Sequence, residues 1–143
     1  MSPTRPSPAA AYRLAHTVDQ RGVFSFCMCP GGWIVPASTE TGALVVNGMS
    51  PSSRSSRYAN SGMVVTVGPE TYGDDDALAG LRWQAALERA AFLAGGGRFV
   101  APAQRLTDFL ARRVSTDLPD CSYRPGLESA DLWGVLPERL AEA

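Results

Sequence analysis

The stretch Phe24-Ser-Phe-Cys-Met-Cys-Pro-Gly-Gly-Trp-Ile-Val-Pro36 decides how this chain is organised. Its first half alternates in chemical character with a period of two, which predicts a half-buried β-strand. Gly31 and Gly32 interrupt the run, and because glycine adopts positive φ at little steric cost, they allow a tight reversal. The stretch therefore predicts a hairpin with two thiols near its tip. The alternation assigns three residues to each side of the strand: Phe24, Phe26 and Met28 to one, and Ser25, Cys27 and Cys29 to the other.

Further strands are predicted on both sides of this turn. Residues 22–28, 33–37, 43–47 and 63–67 are rich in valine, isoleucine and aromatic side chains. Most connections between them are short, which favours a largely antiparallel sheet. The exception is the serine-rich loop from residue 48 to residue 62, which carries Arg54 and Arg57.

A helical pattern follows the strands. The carboxylates of Asp74-Asp75-Asp76 favour a helix N-terminus, where they cap free amides and meet the positive end of the helix dipole. Apolar residues then recur at helical spacing over residues 77–94, and Gly95-Gly96-Gly97 supplies a stop. The predicted buried positions are Leu78, Leu81, Ala85 and Phe92, with Trp83, Leu87 and Ala91 on an adjoining stripe.

A second helix is predicted over residues 102–114. Proline is tolerated in its first turn, and Arg112 and Arg113 suit its negative end. Leu106, Phe109 and Leu110 are its predicted buried face. Residues 137–143 read as the opening of a third helix. The predicted fold class is therefore α+β: a mostly antiparallel, hairpin-rich sheet followed by two or three helices.

Length and composition set the broad class. The 143 residues, 45% of them apolar, suit one domain or part of a larger protein. Residues 1–11 are rich in proline, serine and alanine and are predicted to be a disordered tail, which leaves residues 12–143 as the folded domain. All thirteen cationic side chains are arginine, and the net charge of −1 gives no general attraction for nucleic acid or an anionic membrane.

Several motif classes are missing from the sequence. It has no secretory signal and no apolar run long enough to span a bilayer, so a cytoplasmic protein is expected. It has no Gly-x-Gly-x-x-Gly, no phosphate-binding Gly-x-x-x-x-Gly-Lys and no Gly-x-Ser-x-Gly. His16 is the one histidine, which rules out an array of histidine metal ligands, and no metal site is assigned.

The three cysteines cannot all pair within one chain. Strand rise places the Cα atoms of Cys27 and Cys29 about 6.5–7 Å apart, at the far limit for a disulfide. Free thiols in a reducing cytoplasm are the simpler interpretation. Cys27 and Cys29 then have three possible roles: metal ligands, a redox or nucleophilic pair activated by nearby amides, or small apolar groups in the packing.

The loop after the third strand is the second candidate site. It offers serine hydroxyls, the amides of Asn47 and Asn60, and the guanidinium of Arg54. Such groups suit an anion or the polar edge of a cofactor. Serine and arginine are also ordinary surface residues, so a solvated loop is the alternative interpretation.

Several separated motifs, in order, give the chain a family resemblance. They begin with Phe-Cys-Met-Cys-Pro-Gly-Gly at 26–32, Asn-Gly-Met-Ser at 47–50 followed by Arg54, and Ala-Asn-Ser at 59–61. They continue through Gly95-Gly96-Gly97, Asp108-Phe109-Leu110 and Leu136-Pro137. With these motifs, residues 11–143 resemble the uncharacterised FAD-dependent dehydrogenases, bacterial flavoproteins related to the three-domain NAD(P)/FAD-dependent oxidoreductases. Tyr58 and Trp83 depart from the residues usual there.

The resemblance implies a place within a larger enzyme. By this resemblance, the chain corresponds to the domain inserted into the flavin-binding fold and is incomplete at its C-terminus. In the family, the dinucleotide-binding motif precedes this domain and a flavin-contacting segment follows it. FAD is the implied cofactor, and this chain alone is not expected to hold it. The implied partners are the flavin-binding portion of the same enzyme, in the same or a separate chain, and a small-molecule substrate.

The resemblance also selects candidate site residues. Cys27 and Cys29 are the catalytic candidates, although no catalytic role is assigned to them. Two other functions remain open: a non-catalytic remnant or binding module unable to bind FAD alone, and a thiol-redox or metal module around the two cysteines. The predicted cofactor-binding residues are Gly31, Gly32, Asn47, Ser50, Arg54 and Asn60.

Overall fold

The computed structural model describes residues 14–73 and 76–143. The predicted disordered tail, residues 1–11, lies outside these ranges, as do Asp74 and Asp75 of the predicted helix cap. The described residues form three small sheets and five helices of 4 to 16 residues, an α+β fold as predicted. Two of the sheets are antiparallel and one is a parallel pair. None of the helices in these ranges combines the length and the apolar character that crossing a membrane requires.

The largest sheet has three antiparallel strands in the order β1-β2-β5. They are β1 (Ala15–Val18), β2 (Arg21–Pro30) and β5 (Ala59–Val65). Asp19 and Gln20, both at positive φ, join β1 to β2 in a two-residue turn of the type that matches the twist of a hairpin. β2 is the central strand: β1 pairs with its residues 21–24 on one edge, and β5 pairs with its residues 23–30 on the other.

A β-bulge interrupts β2 at the cysteines. Phe26 pairs with Gly62 and Cys29 pairs with Asn60, so β2 uses three steps where β5 uses two. Cys27 lies inside the bulge at φ +49°. The predicted strict alternation is therefore wrong beyond Phe26, because the extra residue reverses which side Cys29 faces. Paired residues share a face, and we call this one the site face: Phe24, Phe26, Cys29, Asn60, Gly62 and Val64.

The predicted hairpin across Gly31 and Gly32 is wrong. The chain does turn there, but β3 (Trp33–Pro36) pairs with β4 (Val46–Met49) in a separate two-stranded sheet. β5 pairs with β2 as far as Pro30, so the edge of β2 beside the turn is taken by β5 and not by β3.

The strand predicted at residues 43–47 lies three residues further along the chain as β4. Ala43 and Leu44 are buried in the preceding loop instead, where the Leu44 amide donates to the Glu88 carbonyl. Burial against the long helix accounts for their apolar character.

The long helix is close to its prediction. Helix α1 (Pro69–Tyr72) precedes it, and α2 (Ala79–Ala94) ends at Gly95, with Gly96 and Gly97 at positive φ. Asp76 accepts a hydrogen bond from the Leu78 amide and pairs with Arg82, which lowers the pKa of the Asp76 carboxyl. The predicted burial of Leu78 and Leu81 is wrong, since they are 56% and 62% exposed.

The helix predicted at 102–114 is wrong at both ends. Residues Ala101–Ala103 form strand β6, which pairs in parallel with β7 (Leu127–Ser129), and only Leu106–Leu110 forms a helix, α3. Leu106 and Leu110 are more than 70% exposed, so their predicted burial is wrong, whereas Phe109 is half-buried. The one buried residue of this helix is Asp108.

Two one-turn helices complete the described part of the chain. Helix α4 (Leu132–Val135) is capped by the Asp131 side chain, which accepts from the Trp133 amide. Trp133 stacks on Phe109 with ring centroids 5.1 Å apart. Helix α5 (Glu138–Ala141) begins after Pro137, which confirms the predicted helix opening there.

Candidate functional site

The turn that leaves β2 is closed by a hydrogen bond from the Gly32 amide to the Cys29 carbonyl, 3.1 Å long. Pro30 occupies its second position and Gly31, at φ +63°, its third. This is the residue preference of a type II turn, in which the third residue needs positive φ. The sequence Cys-Pro-Gly-Gly thus directs the chain from the large sheet towards β3.

The loop between β4 and β5 lies directly against this turn. A Cβ atom at Gly31 would overlap the carbonyl oxygen of Arg54, and the Ser56 amide donates to the Gly31 carbonyl over 3.3 Å. Arg54 itself has φ +43°, and its amide closes a turn onto the Pro51 carbonyl. Gly31, a predicted cofactor-binding residue, therefore makes its close approach to the chain's own loop.

Gly32 and Gly48 make similar close approaches. A Cβ atom at Gly32 would lie 2.6 Å from the Met49 carbonyl oxygen. At Gly48 it would overlap the side-chain oxygen of Asn60 and lie 3.8 Å from the sulfur of Cys29. Because Gly31, Gly32 and Gly48 have no side chains, β2, β4 and the loop pack closely around Cys29 and Asn60.

Asn60 carries an unusual polar atom. Its Oδ1 packs over Gly48, whereas its Nδ2 is buried and has no hydrogen-bond partner among the described residues. A buried amide without a partner costs about 1–3 kcal/mol, so such groups are rare and call for a ligand or an ordered water. Among the predicted site residues that the structure describes, only Asn60 has a buried polar side-chain atom without a hydrogen-bond partner.

The bulge gives the two thiols different surroundings. Cys29 is 7% exposed, and its sulfur donates to the Cys27 carbonyl over 3.5 Å. Cys27 is exposed, and Cys27, Cys29 and Cys121 are all free, as predicted. Within residues 14–73 and 76–143, no three histidine, cysteine or acidic side chains gather where they could hold a metal ion.

The remaining predicted site residues are Asn47, Ser50 and Arg54. Asn47 is opposite Val35 in the β3–β4 pair, and Ser50 follows that pair directly. Both are exposed, as is Arg54, whose guanidinium makes no ion pair with any described residue. The structure thus brings Cys29, Gly31, Gly32, Asn60 and the backbone of Arg54 together. Asn47 precedes Gly48 on β4 and therefore faces the other side of that strand, and Ser50 follows the strand.

Sequence reasoning missed two contributors to this site. Gly48 makes room for Asn60, and Ser56 bonds the turn. The Asn47-Gly48 dipeptide is a turn signal that could have drawn attention to Gly48. Nothing in the sequence marks Ser56 among its serine neighbours.

The neighbouring Arg57 anchors the end of the loop. Its guanidinium bonds the Tyr58 hydroxyl at 2.7 Å and pairs with Asp120 at 2.9 Å. The bond to Tyr58, followed by the pair with Asp120, raises the pKa of Arg57. Arg54 and Arg57 are therefore distinct, because one is free of ion pairs among the described residues and the other is engaged.

A second polar cluster lies in the C-terminal half. Buried Asp108 accepts from Ser115 Oγ at 2.8 Å and from Arg113 Nε at 2.7 Å. The Ser115 bond is the main reason why the pKa of Asp108 is lowered, and burial partly offsets it. Ser115 Oγ in turn accepts from the Arg105 amide. Every member is bonded to its neighbours, which marks this cluster as structural.

A cleft of about 700 Å³ lies away from both clusters. Arg21, Glu70, Arg139 and Glu142 line it, and Arg21 pairs with Glu70 at 3.2 Å. Asp19 lines it as well, so three carboxylates and two guanidinium groups surround the cleft, and it offers no excess of positive charge to an anion.

Comparison with known proteins assigns the chain to a family. Residues 2–143 match the family described as FAD-dependent protein, C-terminal domain-like. The chain is also 46% identical over 139 residues to an uncharacterised protein of Clostridium beijerinckii. That match covers 94% of this chain and 26% of the relative, so the chain spans about a quarter of the relative's length. The chain belongs to the family of FAD-dependent proteins.

Proposed function

We propose that this chain supplies the flavin- and substrate-facing domain of a FAD-dependent dehydrogenase. The observation that carries this proposal is the buried Nδ2 of Asn60, which lies beside Cys29 and has no hydrogen-bond partner among the described residues, in a chain that belongs to a FAD-dependent family. Bound FAD would supply the redox chemistry, and the protein would position and shield it. The partner is the flavin-binding portion of the same enzyme, in the same or a separate chain, and the location is the cytoplasm.

The described residues fit the polar edge of a flavin. Asn60 offers a donor with no partner, and exposed Arg54 offers a guanidinium with no ion pair among the described residues. Ring carbonyls or a negatively charged ring would accept from both. These donors do not resemble a pyrophosphate cradle, which uses a glycine-rich strand–turn–helix that the sequence lacks.

The roles of the glycines follow from their contacts. Gly31 and Gly32 hold the turn against the loop, so they position Arg54 and Asn60 and need not touch the cofactor. Cys29, enclosed by Gly48 and Asn60, lines the floor of the site. Cys27, Asn47 and Ser50 are exposed, as contact with a substrate would require.

This chain on its own is expected to bind little or no FAD, because it lacks the element that grips the pyrophosphate. Equilibrium dialysis of the purified chain against FAD measures this directly. Stoichiometric retention of flavin would contradict it. The second candidate, a non-catalytic binding module, makes the same prediction for the isolated chain, so the site must be tested in a longer protein.

The full-length Clostridium relative provides that test. Alanine replaces the residues aligned with Arg54 and Asn60, and serine replaces those aligned with Cys27 and Cys29. We expect a shifted flavin spectrum or slower flavin reduction from at least the Asn60 variant. The matched control is alanine at the position aligned with Arg57, which is engaged with Asp120. Unchanged spectra and reduction rates in every variant would remove the site assignment.

A further inference from the structure

The chain exposes more surface than a compact protein of its size. Its accessible surface is 10233 Å², whereas a compact 15.2 kDa monomer exposes roughly 7,100 Å². Fifteen residues lie outside the described ranges, and we subtract for them the full surface of an extended chain. The remaining surface still exceeds that of a compact protein by roughly 1,300 Å². A standard interface removes about 800 Å² from each partner. The surplus area is therefore large enough to form a standard interface with a partner protein.

The site face has the composition of an interface core. Phe24 and Phe26 are 41% and 57% exposed on it. Phe26 lies opposite Gly62, which has no side chain to cover the ring. From β1 across β2 to β5, this face carries no charged side chain, and depletion of charge distinguishes the centres of interfaces from other surface.

Other exposed apolar positions have different surroundings. The opposite face of the same sheet includes Arg21, whose guanidinium is engaged by Thr66 and Thr71. Leu106 and Leu110 protrude from a helix of five residues that leads into Arg112 and Arg113. The site face alone among these surfaces runs without interruption into Cys29 and Asn60.

We propose that the site face is the surface on which the flavin-binding portion of the enzyme packs, with Phe24 and Phe26 at the centre of the contact. This inference rests on the proposed function, because it names that enzyme's other portion as the occupant. The relative's length supports this choice, since about three quarters of it lies outside the matched region. Packing on this face would bring the partner to the edge of the site at Asn60.

Hydroxyl-radical footprinting of two proteins tests the assignment. One is this chain. The other is the full-length Clostridium relative, in which any position aligned with Phe24, Phe26, Leu106 or Leu110 that holds a different residue is first changed to match this chain. Burial in an interface should slow oxidation of Phe24 and Phe26 about fivefold in the longer protein, in proportion to their loss of exposed area. Leu106 and Leu110, which are 72% and 71% exposed in this chain, are the internal control, and each should be oxidised at the same rate in both proteins.

Each outcome decides the assignment. Fast oxidation of both phenylalanines in this chain with selective protection in the longer protein supports it. Equal oxidation of the phenylalanines in the two proteins overturns it. Slow oxidation already in this chain also overturns it, because a second copy or another part of the same chain then covers the face. The flavin content of the longer protein is measured in parallel, so protection without flavin would leave the docking face standing while refuting the proposed cofactor.

Discussion

Replacing Gly31 with alanine tests whether close approach of the turn and the loop holds the site together. The added Cβ would overlap the Arg54 carbonyl oxygen, which belongs to the backbone and cannot rotate away. Gly31 also has φ +63°, where a side chain costs about 1–2 kcal/mol. Overpacking that displaces backbone adds about 1–3 kcal/mol. We therefore expect Gly31→Ala to lower the free energy of unfolding by about 3 kcal/mol.

Gly42 provides the matched control. Its φ is +77°, but the nearest atom to an added Cβ is Arg89 Nη1, at 4.0 Å. Gly42→Ala should therefore carry the conformational cost alone, about 1 kcal/mol. Urea unfolding followed by tryptophan fluorescence gives both values, since Trp33 begins the strand after the turn. Equal destabilisation by the two substitutions would refute the close-approach explanation.

Two further predictions concern the C-terminal half. Tyr123 is 3% exposed and its hydroxyl donates to the Phe99 carbonyl at 2.7 Å, so Tyr123→Phe should lower the free energy of unfolding by about 1 kcal/mol in the same urea assay; no change would argue against this bond. The pKa of Asp108 is lower in the folded chain, so its ionised form stabilises the fold at pH values above the unfolded pKa of about 3.9. This stabilisation is lost as the pH falls through the lowered pKa of the folded chain. Ser115→Ala removes the main cause, so its destabilisation should be larger at about pH 6 than at about pH 2; an equal effect at both would contradict this.

Local sequence patterns predicted the elements that local forces determine. Helix α2 has a long apolar period and a triple-glycine stop, and its observed start is two residues from the predicted one. The turn at Gly31 was equally clear, because proline followed by glycine suits few other conformations. The approximate position of β2 was also predictable from its alternating pattern.

Pairing between strands could not be predicted in the same way. The hairpin across Gly31 fails because β5, almost thirty residues further on, occupies the edge of β2 that β3 would have used. The bulge at Cys27 inserts one residue that no local pattern announces, and it moves Cys29 to the face of Phe26. The strand β6 depends on β7, more than twenty residues away, so its residues read locally as the start of a helix.

The candidate site was predicted as a set of residues but not as an arrangement. Resemblance to a flavoprotein family selected the turn and the loop, and the structure brings them into contact. It could not show that Gly31 approaches the chain's own loop, nor that the amide nitrogen of Asn60 is buried with no hydrogen-bond partner in the part of the chain that the structure describes. Both depend on how β4 and β5 pack beside the turn.

The flavin content of the full-length Clostridium relative tests the central claim most directly. The protein is purified, incubated with FAD, freed of unbound flavin and denatured, and the released cofactor is quantified by its visible absorbance. We predict about one FAD per polypeptide, as one cofactor site per enzyme requires. A protein that retains no flavin after this treatment would contradict the account.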